Sequence, residues 1–156
     1  MQAARGTADL APQVRAALAA AEARCLAAGG RWTAPRARVL QLLLEAEGPL
    51  RAYDLVSTFA PGGYTHPPTV YRALDFLAAL GLAHHLQTQN RYLACVSPGG
   101  PHDAAFLICE GCGRIDERPF AVPPSVTAAA AAQSFAVERW VVELRGLCAT
   151  CSTSAG

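Results

Sequence analysis

The chain has 156 residues, of which 52% are hydrophobic and 16% charged, and its formal net charge is +1. This composition is typical of folded globular proteins and excludes a disordered chain, which would carry more charge and fewer apolar residues. Residues 1–80 hold eight Arg against six acidic residues, whereas residues 81–156 hold five Arg against six acidic residues, so the basic excess lies in the N-terminal half.

The N-terminal residues 1–6 lead into no apolar segment of the signal-peptide type, and no apolar run reaches the roughly 20 residues that span a membrane. We therefore expect a cytoplasmic protein, in which cysteines stay reduced and can bind metals. The alternative for the six cysteines, a set of disulfides, requires an oxidising compartment.

Three helices are predicted in the first part of the chain, over Ala11–Ala28, Arg36–Ala46 and Leu50–Phe59. The first is closed by Gly29-Gly30, and Cys25 in its last turn is expected to be a small core residue. Thr33 is predicted to cap the second helix, with Pro35 in its first turn.

A fourth helix is predicted from Thr69 to Leu80, directly after Pro67-Pro68. Apolar residues at three- and four-residue spacing form one face of it: Val70, Ala73, Leu74, Leu77 and Leu80. The opposite face offers Tyr71 and Arg72, beside a helix end whose N–H groups attract phosphate. We expect these two residues at the major groove of DNA, and phosphate or secondary contacts from Thr69, Tyr53 and Arg36.

Two short segments, His84–Leu86 and Arg91–Cys95, flank polar residues and predict a β-hairpin after the fourth helix. Helices followed by a hairpin describe a winged helix, which places its last helix in the major groove. The alternative is a plain helical bundle in which Arg72 is only solvated.

A Pro- and Gly-rich segment, Ser97–Pro101, is interpreted as an interdomain linker. Beyond it, strands are predicted over Ala104–Ile108, Gly113–Phe120 and Glu138–Leu144, and an Ala-rich helix from Pro123 to Gln133. We expect the helix to lie on this small sheet, and the sheet to complete itself by dimerisation because its edges are apolar.

Four cysteines form two Cys-x-x-Cys pairs, Cys109 with Cys112 and Cys148 with Cys151. Two intervening residues let one tight turn direct both sulfurs at a single metal, and two such turns supply the four sulfurs of a closed tetrahedral zinc site. Closed sites of this kind are structural, so these pairs predict how the C-terminal region folds.

A second group of metal-binding side chains, His84, Cys95 and His102, brackets the hairpin and the linker. A carboxylate from the strand after the first cysteine pair, Glu117 in preference to Asp116, would complete a mixed nitrogen, sulfur and oxygen set that suits Zn²⁺. The alternative is that both histidines lie at the surface and Cys95 packs in the core, because the short spacing of a zinc finger is absent.

Five segments share the pattern of a known family of bacterial regulators: Arg31–Arg36, Ala52–Leu55, Pro67–Leu77, Leu107–Gly113 and Gly146–Cys151. Through them the chain, from about Arg15 to Cys151, resembles the ferric uptake regulator (Fur) family, specifically its zinc-sensing branch, the zinc uptake regulators (Zur). The most specific signature is the run Pro-Thr-Val-Tyr-Arg-Ala-Leu-Asp followed by two cysteine pairs.

The resemblance implies two zinc ions per monomer, one structural and one regulatory, in a homodimer that binds operator DNA and represses zinc-uptake genes. Its regulatory ligands correspond here to His84, Cys95, His102 and Glu117, with His85 as a possible substitute for His84. It also implies a winged helix-turn-helix DNA-binding domain over residues 1–95, a hinge over 96–102, and a small α/β dimerisation domain with the four-cysteine zinc knuckle over 103–156. The fold class is therefore α+β.

Two other function classes stay open. Iron- and peroxide-sensing relatives carry a His-rich run before the first cysteine pair, where this chain has Pro101–Ala105, so a regulator of the same fold that senses iron, manganese or peroxide is the less favoured alternative. A thiol–disulfide oxidoreductase would need a low-pKa cysteine at a helix N-terminus, and neither pair precedes a convincing helix in the sequence. We therefore expect no enzyme.

Overall fold

The computed structural model describes residues 7–60, 65–95, 103–137 and 140–153, and the side chains from residue 12 onward. The chain divides into two compact units, Met1–Pro101 and His102–Gly156. The linker predicted at residues 96–102, and His102 with it, lies outside the described residues. Among the described helices, none combines the length and apolar character needed to cross a membrane.

The described part of the first unit has four helices and a hairpin: α1 (Thr7–Ala27), α2 (Ala34–Glu45), α3 (Ala52–Thr58), α4 (Pro67–Ala79), β1 (Ala83–Leu86) and β2 (Arg91–Ala94). All four predicted helices and the hairpin are present, with ends that shift by a few residues. The helix α1 ends where Gly29 takes a φ of 71°, a left-handed conformation that glycine adopts without strain.

One local prediction for this unit is confirmed in position, and another is wrong. Thr33 occupies the predicted N-cap position of α2 with extended backbone, although its side chain makes no capping hydrogen bond. Leu50 belongs to no helix, because its backbone pairs with Tyr92 through hydrogen bonds of 2.8 and 2.7 Å in both directions. This bridge ties the start of α3 to the hairpin.

A single hydrophobic core holds the first unit together. Twelve buried residues form it: Ala21, Val39, Leu40, Leu43, Ala52, Leu55, Val70, Ala73, Leu74, Leu77, Ala83 and Tyr92. The predicted apolar face of α4 supplies four of them, and Tyr71 and Arg72 on the predicted polar face are exposed. Cys25 is fully buried, as predicted for a core residue.

The second unit contains a three-stranded sheet and two short helices: β3 (Ala104–Cys109), β4 (Ile115–Pro119), α5 (Pro124–Ala132), β5 (Val142–Gly146) and α6 (Ala149–Thr153). The strand order is β4-β3-β5, with β4 antiparallel and β5 parallel to β3. The sequence predicted the three strands and α5 but not α6. The predicted N-terminal part of the last strand, at Glu138, lies outside the described residues.

The helix α5 does not bury a face within its own unit. None of its residues is buried, so the expectation that it lies on the sheet is wrong for the isolated chain. Its Ala-rich sequence has no polar stripe to separate an inner from an outer face, and nothing in it specifies packing on this sheet. The α+β fold class, with a winged helix first and a small α/β unit second, is confirmed.

Candidate metal centres and nucleic-acid face

The four-cysteine cluster is built at one end of the sheet of the second unit. Cys109 is the last residue of β3, and Cys112 lies in the turn that follows. Cys148 comes two residues after β5 ends, and Cys151 lies in α6. Because β3 and β5 run parallel, their carboxyl ends meet at the same edge, and this brings the two distant cysteine pairs together.

The sulfurs of the cluster have the spacing of a zinc site. All four Sγ atoms lie within 4.8 Å of one another, and Cys112 Sγ is 3.8 Å from Cys148 Sγ. A tetrahedron of Zn–S bonds of about 2.3 Å places its sulfurs roughly 3.8 Å apart. The residues therefore fit a tetrahedral thiolate-bound metal, as the spacing of the two pairs predicted.

Glycine suits the backbone around the first pair at two positions. A Cβ on Gly111 would lie 3.0 Å from both Cβ and Sγ of Cys151, so a larger residue there would force the second pair to shift by a few tenths of an ångström. Gly113 has a φ of 73° and donates its N–H to the Cys109 carbonyl at 2.9 Å, which closes the turn. The Glu110 N–H donates to the Gly146 carbonyl at 2.7 Å and joins this turn to the end of β5.

The electrostatics of the four-cysteine cluster favour thiolates beside a cation. The Cys148 N–H donates to Cys109 Sγ at 3.2 Å, and this bond is the main reason that the pKa of the Cys109 thiol falls to about 6. The pKa of Cys151 rises to about 12, chiefly because its thiol donates a hydrogen bond to Cys148. Four sulfurs so close cannot all ionise without a positive charge between them, and a divalent metal supplies that charge.

This arrangement does not resemble a redox-active Cys-x-x-Cys. A reactive cysteine needs a lowered pKa together with access to substrate, but Cys109, whose pKa is lowered, is only 5% exposed and lies at the end of a strand. Cys148 does precede a helix, α6, which has only five residues. None of the six cysteines, all within the described ranges, takes part in a disulfide.

A second pair of metal-binding side chains lies on the hairpin of the first unit. His84 is opposite Leu93 in the register, and Cys95 follows two residues later, where its N–H continues the ladder by donating to the Leu82 carbonyl at 3.0 Å. Residues opposite each other, and residues two apart, share a face of a hairpin. A ring nitrogen of His84 accordingly lies within 4.8 Å of Cys95 Sγ.

The neighbouring His85 is engaged on the other face of the hairpin. Its ring stacks on Tyr92 with 4.3 Å between centroids and 9° between planes. Gln87 Nε2 donates to its Nδ1 at 3.0 Å, and its Nε2 lies 3.0 Å from Asn90 Oδ1, so His85 is the donor to Asn90. With both nitrogens in hydrogen bonds, His85 is less suited than His84 to bind a metal.

Of the two acidic candidates on β4, Glu117 has the better position. Asp116 forms a 2.9 Å ion pair with Arg114, which occupies its carboxylate. Glu117 is opposite Phe106 in the register, on the face of the sheet that β3 buries, and is itself half-buried. The structure thus brings His84 and Cys95 together in the first unit, while Glu117 lies on the buried face of the sheet in the second.

The residues predicted to contact DNA differ in how exposed they are. Tyr53 is 77% exposed and Tyr71 47% exposed, Arg72 is exposed, and Thr69 is half-buried. The Arg36 guanidinium lies 3.3 Å from the centroid of the Phe76 ring and donates to the Arg31 carbonyl, which leaves it fewer N–H groups for phosphate.

The start of α4 offers fewer backbone donors than the sequence suggested. Pro67 and Pro68 occupy its first two positions and have no N–H, and the Thr69 N–H donates to the His66 carbonyl at 2.9 Å. The first three residues of the helix, where N–H groups ordinarily stay open, therefore offer none to a phosphate. Phosphate contacts must therefore come mainly from side chains.

A cleft that the sequence did not reveal lies between α3, α4 and the hairpin turn. It has a volume of about 340 Å³, and we refer to it as the wing cleft; its lining residues are Arg51, Ala52, Tyr53, Tyr71, Gln89 and Asn90. Tyr53 and Tyr71 were predicted to contact DNA, but the other polar members were not. The only sequence signal for Gln89 and Asn90 was their place in a polar hairpin turn.

Comparison with known proteins gives consistent similarities. The model of the Ferric uptake regulator family matches residues 27–136. The chain is 38% identical over 137 residues to the zinc uptake regulation protein of Escherichia coli (strain K12), covering 86% of this chain and 80% of that protein. The solved structure of a zinc uptake regulator complexed with zinc and DNA is 36% identical and has a TM-score of 0.82 over 91% of this chain and 97% of the other. The structure of holo XcZur is 38% identical, with a TM-score of 0.77 over 87% of this chain and 96% of the other.

Proposed function

This chain belongs to the ferric uptake regulator family, and we propose that it is a zinc-responsive transcriptional repressor. In this proposal a zinc-loaded homodimer binds operator DNA and represses genes for zinc uptake. The observation that carries it is the pair formed by His84 and Cys95 on the hairpin of a winged helix, because this pair puts metal ligands inside the DNA-binding unit itself.

Two zinc ions per monomer have distinct roles in the proposal. Cys109, Cys112, Cys148 and Cys151 hold a structural zinc, supported by four sulfurs within 4.8 Å of one another. His84 and Cys95 hold the regulatory zinc, with His102 and Glu117 as the remaining ligands that the family resemblance implies. Thiolate Cys95 favours zinc over manganese, and the relatives at 36–38% identity are zinc regulators, so sensing of iron, manganese or peroxide has less support.

The DNA face in the proposal is the exposed surface of α4. Tyr71 and Arg72 contact bases in the major groove, while Thr69, Tyr53 and Arg36 make phosphate or secondary contacts. Arg72 is exposed, and a guanidinium can bind guanine with two hydrogen bonds, typically worth about 1–3 kcal/mol of base discrimination.

Dimerisation is supported by the apolar surface of the second unit. Leu107, Val126, Phe135 and Leu144 are between 39% and 67% exposed, and α5 buries none of its residues. An exposed apolar surface on a small unit is ordinarily covered by another protein chain. A second copy of this chain would cover it and provide two recognition helices for a symmetric operator.

A zinc ion bound by His84, Cys95, His102 and Glu117 would cross-link these four side chains. If that cross-link favours the dimer arrangement that fits the operator, zinc and DNA each strengthen the binding of the other, by about 1–3 kcal/mol in typical systems, or about 5- to 150-fold. We assign the protein no catalytic role and a cytoplasmic location, where its cysteines stay reduced.

The test is elemental analysis of zinc per monomer before and after mild chelation, with binding to operator-type DNA followed in parallel. We expect two zinc ions to fall to one, DNA binding to be lost, and added zinc to restore it. One zinc throughout, with DNA binding that does not respond to zinc, would contradict the sensor function while leaving the four-cysteine cluster intact.

A further inference from the structure

We propose that the wing cleft binds one phosphodiester group of the operator backbone in each subunit and that Arg51 supplies its positive charge. The inference rests on the proposed function, since it assumes that the first unit binds DNA. It adds Arg51, Gln89 and Asn90 to the nucleic-acid face and assigns them a contact with the backbone, not with bases.

The lining of the wing cleft has the chemistry of an anion site. Its polar members are a guanidinium, two phenol hydroxyls and two side-chain amides, and none of the described residues that line it carries a carboxylate. The nearest acidic group in sequence, Asp54, accepts the backbone N–H of Arg51 at 3.0 Å and so is already engaged. A phosphodiester has two non-bridging oxygens that share one negative charge and accept hydrogen bonds, and it has no donor, so it matches a site that offers mainly donors.

The hairpin holds one of these donors in a defined orientation. Gln87 donates to His85 and His85 donates to Asn90 Oδ1, with both heavy-atom distances 3.0 Å. Because the oxygen of the Asn90 amide is taken by His85, its NH₂ group is the part that remains for a ligand. The stacking of His85 on the buried Tyr92 keeps this chain of bonds rigid.

Two other arginines of the first unit, Arg38 and Arg36, are less available for phosphate. Arg38 donates to the Phe59 and Thr58 carbonyls at 3.0 and 3.3 Å, and Arg36 stacks on the Phe76 ring. Arg51 is exposed and lines the wing cleft beside Tyr71 of α4. Since the start of α4 offers almost no open N–H, a phosphate next to this helix needs such a side-chain site.

The experiment measures binding of zinc-loaded protein to operator DNA and to unrelated DNA over a range of salt concentrations. For Arg51→Ala we expect affinity for both DNAs to fall roughly tenfold. The slope of log K against log salt should decrease by about 0.9 per lost contact, and so by roughly 1.8 for a dimer. Gln89→Glu, which places a carboxylate in the wing cleft without changing side-chain length, should weaken binding in the same uniform way.

Two variants serve as controls. Arg145→Ala removes the same charge from the second unit, where Arg145 pairs with Glu110 on the surface, and should leave both affinity and slope unchanged. Arg72→Ala should weaken operator binding more than binding to unrelated DNA, because it removes a base contact.

Neutral methylphosphonate groups, placed one at a time in the operator, locate the contact. We expect one position per half-site where neutralisation weakens the wild-type protein but not Arg51→Ala. The wing-cleft proposal would be overturned if Arg51→Ala kept the wild-type affinity and salt slope. It would also be overturned if each methylphosphonate weakened Arg51→Ala as much as it weakens the wild type. Neither result would contradict the proposed function. Failure of the zinc-loaded wild type to prefer operator DNA would instead overturn the proposed function.

Discussion

The two units of this chain are stabilised in different ways. The first unit buries twelve residues in one continuous core. The second has four buried hydrophobic residues in its described part, Ala105, Phe106, Ile108 and Cys109, and one of these belongs to the four-cysteine cluster. Small units with little core generally need a metal, disulfides or a partner chain to fold.

The difference shows what the four-cysteine cluster contributes. The cluster lies at one end of the sheet. Its cysteines come from the end of β3, the turn after β3, the segment after β5, and α6, so a bound metal would hold these elements together. We therefore expect the first unit to stay folded when a metal ligand is lost and the second unit to unfold. Substitutions in the two units should reveal this contrast.

Replacing Cys109 with Ser should unfold or monomerise the second unit and leave the first folded. Structural zinc contributes about 10–16 kcal/mol of apparent binding free energy in small zinc domains, and that energy is folding energy. Zinc content should fall by one ion per monomer, and amide NMR signals of the second unit alone should collapse. Cys25→Ser, the same change in the core of the first unit, should keep the full zinc content. A dimeric, fully structured second unit in Cys109→Ser would contradict the contrast.

Replacing Leu74 with Ala should destabilise the first unit by about 2–5 kcal/mol, because the fully buried side chain leaves a cavity in the core. Trp32, which packs against that core, reports its urea unfolding by fluorescence when Trp140 is changed to Phe. The matched control is Leu26→Ala, at a site 59% exposed in the same unit, which should cost less than about 0.5 kcal/mol. Equal effects of the two changes would mean that this core does not dominate stability.

Replacing Cys95 with Ser should remove the response to zinc without unfolding either unit. The variant should retain one zinc per monomer, and its DNA affinity should no longer rise with added zinc, a loss of about 1–3 kcal/mol of coupling. Titration of labelled operator with and without zinc measures this. An intact zinc response in Cys95→Ser would remove Cys95 from the regulatory site.

Replacing Gly113 with Ala should weaken the second unit by about 1–2 kcal/mol, because its φ of 73° is strained for any residue with a Cβ. Gly146→Ala is the control, since neither a positive φ nor a close atom restricts that position. In competition with a chelator, Gly113→Ala should lose the structural zinc more readily than the wild type, and Gly146→Ala should not. Equal zinc retention in the two variants would mean that the turn accepts a Cβ at position 113 without strain.

Much of the fold could be predicted from local pattern. The spacing of Val70, Ala73, Leu74 and Leu77 predicted both the helix α4 and its buried face, because a period of 3.6 residues determines which side chains share a side. The Cys-x-x-Cys spacing likewise predicted the four-cysteine cluster, because two-residue turns that bind zinc are a local feature. The helix α6 escaped prediction because its five residues are too short for a periodic signal.

What the sequence by itself determined is therefore the set of elements, the buried faces, and the residues able to bind metal. Only the tertiary structure decided which of these residues lie close together. The hairpin register placed His84 rather than His85 beside Cys95, and Asp116 formed an ion pair with Arg114. The tertiary structure also formed the wing cleft from residues as distant as Arg51 and Asn90. The physical reason is that periodicity and turn chemistry act between neighbours in the chain, whereas strand register and cleft shape depend on packing between segments far apart in it.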